Sequence, residues 1–204
     1  PTYVIPDDNT NGIVGEVWDG KVATGYSGGS GTETDPYIIE TARQLAYLIK
    51  HDVIDAVGST YGKYYKLAAD IYLNNIQDAD WRTNNPNGWY EAASNQRFGG
   101  NFNGDGYTIY GLYYNGTKYA GLFPYIEMYF NDVTIENIVV SDAYLNTSAD
   151  SIGTFAATLY GGNGHELAFK NCFVDDNVYV ASSNTSASCI GGIIGYLKNS
   201  PTDI

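Results

Sequence analysis

The segment NFNGDGYTIYGL, residues 101–112, has the residue types and spacing of a calcium-binding loop. Asn101, Asn103 and Asp105 stand at positions one, three and five and are followed by a glycine, as in the first half of an EF-hand loop. Position twelve is Leu112, where an EF-hand requires a bidentate acid, and the residues after Asp105 have strand character. The pattern therefore predicts a tight corner between two strands, with Asp105 as a weak metal candidate only.

Paired carboxylates are the next candidates, because glycoside hydrolysis uses two of them, roughly 5–10 Å apart. Asp175 and Asp176 are adjacent, so they would point to opposite faces of a strand, and a solvated turn is the better interpretation. Asp78 and Asp80 could share a face near Arg82, but they lie in a long polar loop. Both histidines are isolated, and no Ser-His-Asp or Cys-His arrangement can be assembled. The sequence thus predicts no catalytic set, no metal site and no cofactor.

Aromatic side chains provide the remaining candidate site. One long polar loop carries Trp81, Trp89 and Tyr90 among amide and charged groups. Flat rings flanked by polar groups suit a sugar, whose apolar face stacks on the ring while its hydroxyls form hydrogen bonds. We expect Trp89 and Tyr90 to be the better exposed candidates. Tyr113 and Tyr114 add to them, and because they are adjacent on a predicted strand only one can face the core.

Composition indicates a secreted or surface-displayed β protein. The 204 residues include 20 Tyr and 24 Gly but only 10 Lys plus Arg, and the net charge is −13. Nucleic acid and anionic membranes bind basic surfaces, so neither is expected as a partner. No run of about 18 apolar residues is present, so we expect no membrane insertion. The chain begins without an initiator Met, and we expect a processed protein or an excerpt of a longer one.

One segment has the pattern of an amphipathic helix, residues 41–57, with Thr41 as its expected N-cap. Its apolar stripe consists of Ala42, Leu45, Ala46, Ile49 and Val53. After Gly58 the pattern changes to β-type runs rich in Ile, Val, Tyr and Phe. These runs are residues 64–73, 107–114, 133–145 and 169–180.

Two markers recur along the β-type region. A glycine before an apolar run occurs at Gly121 and again at Gly153, and an asparagine among alternating apolar residues occurs at Asn137 and again at Asn171. The two intervals are nearly equal, and the next glycine interval, from Gly153 to Gly192, is longer. A period of this size carried by strands predicts a β-solenoid with one coil per repeat. We expect the asparagines at turns, where a stacked column can share side-chain hydrogen bonds.

The two cysteines are too few for a disulfide scaffold. The repeat aligns Cys172 with Ile138, which predicts an inward-facing core residue. A disulfide between Cys172 and Cys189 stays open at this point.

Six segments follow one another in a fixed order. They are WDG (18–20), YSGGSGTETDPYIIETARQLAYL (26–48), YYKLAADIYLNN (64–75), FGGNFNGDGYTIYGLYY (98–114), YAGLFPYI (119–126) and CIGGIIGYLKN (189–199). Together they cover roughly residues 18–199 and resemble the GLUG-motif surface proteins of anaerobic and gut bacteria. The resemblance implies an all-β fold, a right-handed parallel β-helix, with the helix at 41–57 as an N-terminal cap. It also implies that Trp81 packs against the first coil and is structural. Tyr107 stands where relatives often carry His, which is one departure from the pattern.

These observations divide the chain into three segments. We expect an extended or loop segment over 1–36, a capping strand and helix over 37–59, and β-helix coils over 60–204. No second cap is visible after the last repeat, so we expect further coils or another domain of a larger multidomain chain to follow.

The function that the sequence favours is a non-catalytic module of a secreted or cell-surface bacterial protein. Its expected partner is a polysaccharide or a host or cell-surface glycoconjugate, bound in adhesion or carbohydrate recognition. A polysaccharide lyase or hydrolase of the β-helix type is the alternative, and a passive scaffold or stalk is the third interpretation.

Overall fold

The strands of this protein stack as the coils of a β-solenoid of about four turns. The computed structural model describes Gly12 and residues 15–162, 164–186 and 189–199, with the backbone alone at Asn199. Within these residues every pairing between two strands is parallel. The predicted all-β solenoid is therefore confirmed.

Most strands are three to six residues long. In chain order they are β1 (Tyr37–Ile39), β2 (Tyr64–Leu67), β3 (Ile71–Tyr72), β4 (Asn101–Asn103), β5 (Thr108–Tyr110), β6 (Tyr113–Gly116), β7 (Tyr125–Glu127), β8 (Val133–Ser141), β9 (Tyr144–Thr147), β10 (Ser151–Gly153), β11 (Ala156–Gly161), β12 (Leu167–Val174), β13 (Tyr179–Ser182), β14 (Cys189–Gly191) and β15 (Ile194–Asn199). Strands β8 and β12 are longer, and β8 pairs with both β4 and β5 of the preceding coil. The largest sheet has the order β1-β2-β4-β8-β5-β3, with β12 also paired to β8. Three smaller sheets have the orders β6-β9-β13, β7-β11-β15 and β10-β14.

Strand register confirms the repeat. Lys170 on β12 pairs with Glu136 on β8, which is the same step along the chain as that from Asn137 to Asn171. The isolated bridge between Ala120 and Ile152 gives the other predicted step, that from Gly121 to Gly153. In the next coil Gly153 pairs with Gly191, so the expected partner Gly192 is wrong by one position.

The interior is filled by columns of apolar side chains in register. Ile109 and Val140 form one such column, and Leu145 belongs to another; all three are fully buried. Phe102 is buried as well, so Phe102 and Ile109 of the 101–112 segment both face inward. On β2, β4, β5 and β9 buried inward residues alternate with less buried outward ones.

The two asparagines expected at turns lie inside β8 and β12, where each has a left-handed backbone that interrupts the extended strand. Asn137 and Asn171 have φ of 54° and 51°, the left-handed region that asparagine tolerates better than other side chains. The Asn171 Nδ2 donates to Asn137 Oδ1 at 3.0 Å, and the Asn137 Nδ2 donates to Asn103 Oδ1 at 3.2 Å. Asn103, Asn137 and Asn171 thus form an asparagine ladder along the solenoid.

A short helix precedes the first complete coil. Helix α1 (Ala42–Tyr47) begins at Thr41, whose side chain and that of Gln44 form a reciprocal capping box, and it continues as a π-helical segment (Leu48–Asp55). The helix therefore ends shortly before the predicted limit at Val57. Its predicted apolar stripe is buried in the same cluster as the first coil. Uncovered solenoid ends expose apolar side chains, and this packing covers the N-terminal one.

The segment 1–36 falls partly outside the described residues, which leave out 1–11, Ile13 and Val14. Its described part forms isolated bridges, including Val17 with Tyr72 on β3. Residues 200–204 of the predicted coil region also lie outside the described residues. Cys172 pairs in register with Ile138 and packs against the core, and among the described residues the two cysteines are not joined in a disulfide.

Candidate functional site

The expectation that Trp89 is exposed is wrong. Only 5% of Trp89 is exposed, its Nε1 donates to the Leu122 carbonyl at 3.1 Å, and Trp18 packs edge-on at 5.5 Å. Tyr90 is half-buried beside these two rings, and burial raises its pKa to about 12. A sugar cannot stack on the covered Trp89 ring, so this part of the loop packs against the coils.

The other aromatic candidates separate into buried and outward residues. Trp81 is 7% exposed and meets Tyr113 edge-on, in agreement with its expected structural role. Tyr114 points inward and donates to Glu91 at 3.0 Å, whereas Tyr113 points outward and stacks on Tyr144. The prediction that only one of the adjacent tyrosines faces the core is confirmed. A ligand contact by Tyr90 or Tyr113 stays a prediction.

The segment that resembles a calcium loop is a corner. Asp105 and Gly106 have φ of 52° and 88°, and the Tyr107 N–H donates to the Gly104 carbonyl at 2.9 Å. The Asp105 carboxylate is 3.0 Å from the Lys66 ammonium. Among the described residues no group of three or more His, Cys, Asp or Glu is placed to hold a metal ion.

The acidic pairs do not converge on a reaction centre. Asp78 accepts hydrogen bonds from the Asp80 N–H and from the Asn84 amide, both within its own loop. The Asp175 carboxylate accepts a hydrogen bond from the Ser141 hydroxyl, and Asp176 lies in a turn as predicted.

A groove lies on the outer face of the largest sheet. It has a volume of about 570 Å³ and crosses strands β2, β4, β8 and β12, which belong to successive coils. Its lining residues are Glu33, Pro36, Tyr64, Tyr65, Lys66, Asn101, Phe102, Asn103, Asp132, Thr134, Glu136 and Lys170. We call this surface the groove.

Strand register arranges the outward residues of the groove in two columns. The first, which we call the uncharged column, runs from Tyr64 to Asn101 and Thr134. The second, the charged column, consists of Lys66, Asn103, Glu136 and Lys170. The two columns are two residues apart on each strand, about 7 Å, and neighbouring strands are about 4.8 Å apart. The groove thus offers a repeated set of side chains along the solenoid axis.

Most charges in the groove have partners in the protein. Lys66 pairs with Asp105, and Glu136 accepts a hydrogen bond from the Asn103 amide at 2.9 Å. The Glu166 N–H and the His165 ring hold the pKa of Asp132 below its usual value. Three of the five charged residues that line the groove, Lys66, Asp132 and Glu136, are thus engaged within the protein.

Sequence reasoning missed the groove because it searched each segment for local motifs. Lys66, Asn103, Glu136 and Lys170 are unremarkable individually, and they become neighbours only when the coils stack. A signal was present, since polar residues recur at outward positions with nearly the same interval as the asparagines of the ladder. This recurrence identifies the groove only when the strand register of every coil is known, and the corner at Asp105 changes the interval between coils.

The fold and the groove define the class of protein: a parallel β-solenoid that carries a polar groove on one outer face. No family model matches the chain. It is 30% identical over 141 residues to a protein of Evansella cellulosilytica named "Putative Gly-rich membrane protein", over 67% of this chain and 15% of that one. It is 27% identical over 185 residues to a protein of Haloquadratum walsbyi named "Halomucin", over 87% of this chain and 2% of that one. The chain therefore spans a small part of either relative.

One solved structure has a similar fold. It is a "putative immunoglobulin A1 protease from Bacteroides ovatus", with a TM-score of 0.57 and 19% identity over 85% of this chain and 56% of that chain. At this identity the match shows the solenoid fold alone. No helix among the described residues of this protein has the length and apolar character needed to cross a membrane.

Proposed function

We propose that this chain is a non-catalytic, glycan-binding module of a secreted or cell-surface protein, with a GLUG-type solenoid as its scaffold. The observation that carries the proposal is the groove, whose uncharged column places the Tyr64 ring beside the Asn101 amide and the Thr134 side chain. A ring that is flanked by amide and hydroxyl groups suits a pyranose, because its apolar face stacks while its hydroxyls form hydrogen bonds.

The relatives support the placement at a surface. One name contains the words membrane protein and the other is a mucin name, and both proteins are far longer than this chain. A surface protein in which this module is one part of a larger multidomain chain fits both matches. The net charge of −13 also disfavours nucleic acid as the partner.

The spacing of two carboxylates of the groove, those of Asp132 and Glu136, supports binding over hydrolysis. Asp132 and Glu136 are four residues apart along the β8 side of the groove, which corresponds to about 13 Å. The acid and base of a glycosidase are about 5–10 Å apart. Glu136 is also engaged by Asn103, and Asp132 is engaged by His165.

Binding to immobilised polysaccharides tests this function. The purified chain is expected to bind at least one polysaccharide of a plant and host panel, and Tyr64→Ala is expected to weaken binding about tenfold. Tyr110→Ala is the matched control, because Tyr110 also points outward from a strand but does not line the groove. If the folded wild-type chain binds no member of the panel, glycan binding is refuted and the passive scaffold is the better interpretation. Release of new reducing or unsaturated ends would support an enzyme instead.

A further inference from the structure

The groove has a distribution of charge that selects among glycans. Its uncharged column carries a ring, an amide and a hydroxyl, and the next residue in register after Thr134 is Ala168, which is also uncharged. The charged column lies about 7 Å to one side. A ligand along the uncharged column therefore meets no formal charge directly beneath it.

The charges beside this column are largely neutralised within the protein. Lys66 is 3.0 Å from Asp105, and Glu136 is bonded to Asn103. Counting Glu33, Asp132 and Glu136 against Lys66 and Lys170, the lining residues carry one net negative charge, and Asp105 adds a second. The whole chain carries −13.

A polyanion is disfavoured at such a surface. Binding of a uronate or sulfated chain needs a row of unpaired cations, and Lys66 is already occupied by Asp105. Lys170 lies on β12 and Glu33 belongs to the loop before β1, so the remaining cation and an acid stand on opposite sides of the groove. Neither provides a continuous positive track.

We propose that the groove binds an uncharged polysaccharide that lies along the solenoid axis, with one sugar stacked on Tyr64 and the following units over Asn101 and Thr134. This inference rests on the proposed glycan-binding function and specifies its ligand. The Asn101 Oδ1 accepts a hydrogen bond from the Thr134 N–H at 2.9 Å, so the amide NH₂ of Asn101 is the group that donates to the sugar. The Thr134 hydroxyl is the second polar group on this path.

Matched neutral and charged polysaccharides test the inference. Binding to unsubstituted xylan, galactan and glucan is compared with binding to polygalacturonate and a sulfated glycan, in low salt and in about 1 M NaCl, where the Debye length is about 3 Å. We expect binding to one neutral chain, with less than about a twofold change in Kd between the two salt conditions. EDTA is added in a parallel series so that calcium-bridged uronate binding is recognised.

Two groups of variants separate the columns. Tyr64→Ala is expected to weaken neutral binding about tenfold and Thr134→Val about three- to tenfold, because valine removes the hydroxyl and retains the branched shape. Lys170→Gln and Lys66→Gln are expected to change it less than about twofold. Circular dichroism and a melting curve establish that each variant folds.

The outcomes distinguish this inference from the function on which it rests. Binding to polygalacturonate that salt or Lys170→Gln abolishes would overturn the uncharged ligand and leave glycan binding intact. Neutral binding that is insensitive to Tyr64→Ala and Thr134→Val would overturn the placement along the uncharged column. Absence of binding to every polysaccharide by the folded wild-type chain would overturn the proposed function itself.

Discussion

The asparagine ladder makes a prediction that separates backbone conformation from side-chain hydrogen bonding. Asn137 has φ of 54°, which is unfavourable for residues with a Cβ other than asparagine and aspartate. Its side chain donates to Asn103 and accepts from Asn171, at 3.2 and 3.0 Å. The variant Asn137→Ala therefore loses both hydrogen bonds and keeps a Cβ in a left-handed position.

The two contributions can be estimated separately. The left-handed conformation costs about 1–2 kcal/mol for alanine. Each ladder bond is partly exposed to water, so we take the lower end of the usual range, about 0.5 kcal/mol per bond. Asn137→Ala should then lower the free energy of unfolding by about 2–3 kcal/mol. Asn137→Gly removes the Cβ and should cost less, about 1.5 kcal/mol, from the lost bonds and the greater freedom of glycine in the unfolded chain.

Urea denaturation followed by tryptophan fluorescence measures both variants. Asn115→Ala is the matched control, because the Asn146 amide donates to Asn115 at 2.9 Å without a left-handed residue, on an exposed strand position. We expect the control to change stability by less than about 0.5 kcal/mol. The reasoning is refuted if Asn137→Ala is as stable as Asn137→Gly, or if both match the control.

Three further predictions follow from packing and burial. A Cβ on Gly153 would lie 2.5 Å from the Ala156 carbonyl oxygen and 2.6 Å from the Gly195 nitrogen. Gly153→Ala should therefore lower the melting temperature and the free energy of unfolding, the latter by about 2–3 kcal/mol. Gly192→Ala is the control, because a Cβ there would meet open space, and it should change neither quantity. Ile152 and Ile190 pair in register, but Ile152 is 0% exposed and Ile190 is 51% exposed. In urea denaturation, Ile152→Ala should lower the free energy of unfolding by about 2–5 kcal/mol and Ile190→Ala by about 1 kcal/mol. Equal losses would contradict the argument from burial. Burial and the neighbouring tyrosines and Asp52 raise the pKa of Tyr26 above its usual 10.0. Its stabilisation is therefore complete below pH 10.0 and is lost as the pH rises above that value, so a series of melting temperatures against pH should fall less steeply for Tyr26→Phe.

The parts of the fold that sequence reasoning predicted are those fixed by periodicity. The step from Asn137 to Asn171 recurs in the strand pairing because each coil must turn at the same place. The capping residue Thr41 was found for a similar reason, since an N-cap acts over only three residues. Signals of these two kinds are either local or repeated, and both are visible in a single chain.

The candidate site was harder to predict because burial is not a local property. Trp89 stands in a polar loop and has the neighbours of an exposed residue, yet it packs against Trp18, which is far earlier in the chain. The hydrogen bond from its indole to Leu122 satisfies the polar atom, so a tryptophan in a polar loop is buried without an unpaired donor. Long loops of a solenoid can cover the coils or project from them, and composition does not separate the two.

The corner at residues 101–106, which has the pattern of half a calcium-binding loop, also affects the charge of the groove. The path from Phe102 to Thr108 takes six steps along the chain, and the matching path from Ile135 to Val139 takes four, so this corner is longer than the one in the next coil. One consequence is Asp105, which reaches back to Lys66 of the preceding coil and neutralises it. Without that contact Lys66 would be unpaired and the net charge at the groove would change from −2 to −1, which would weaken the repulsion of an anionic ligand. The residues that imitate a calcium loop therefore set the charge of the groove, and Asp105→Asn should increase binding of polygalacturonate relative to neutral chains if the groove is the binding site.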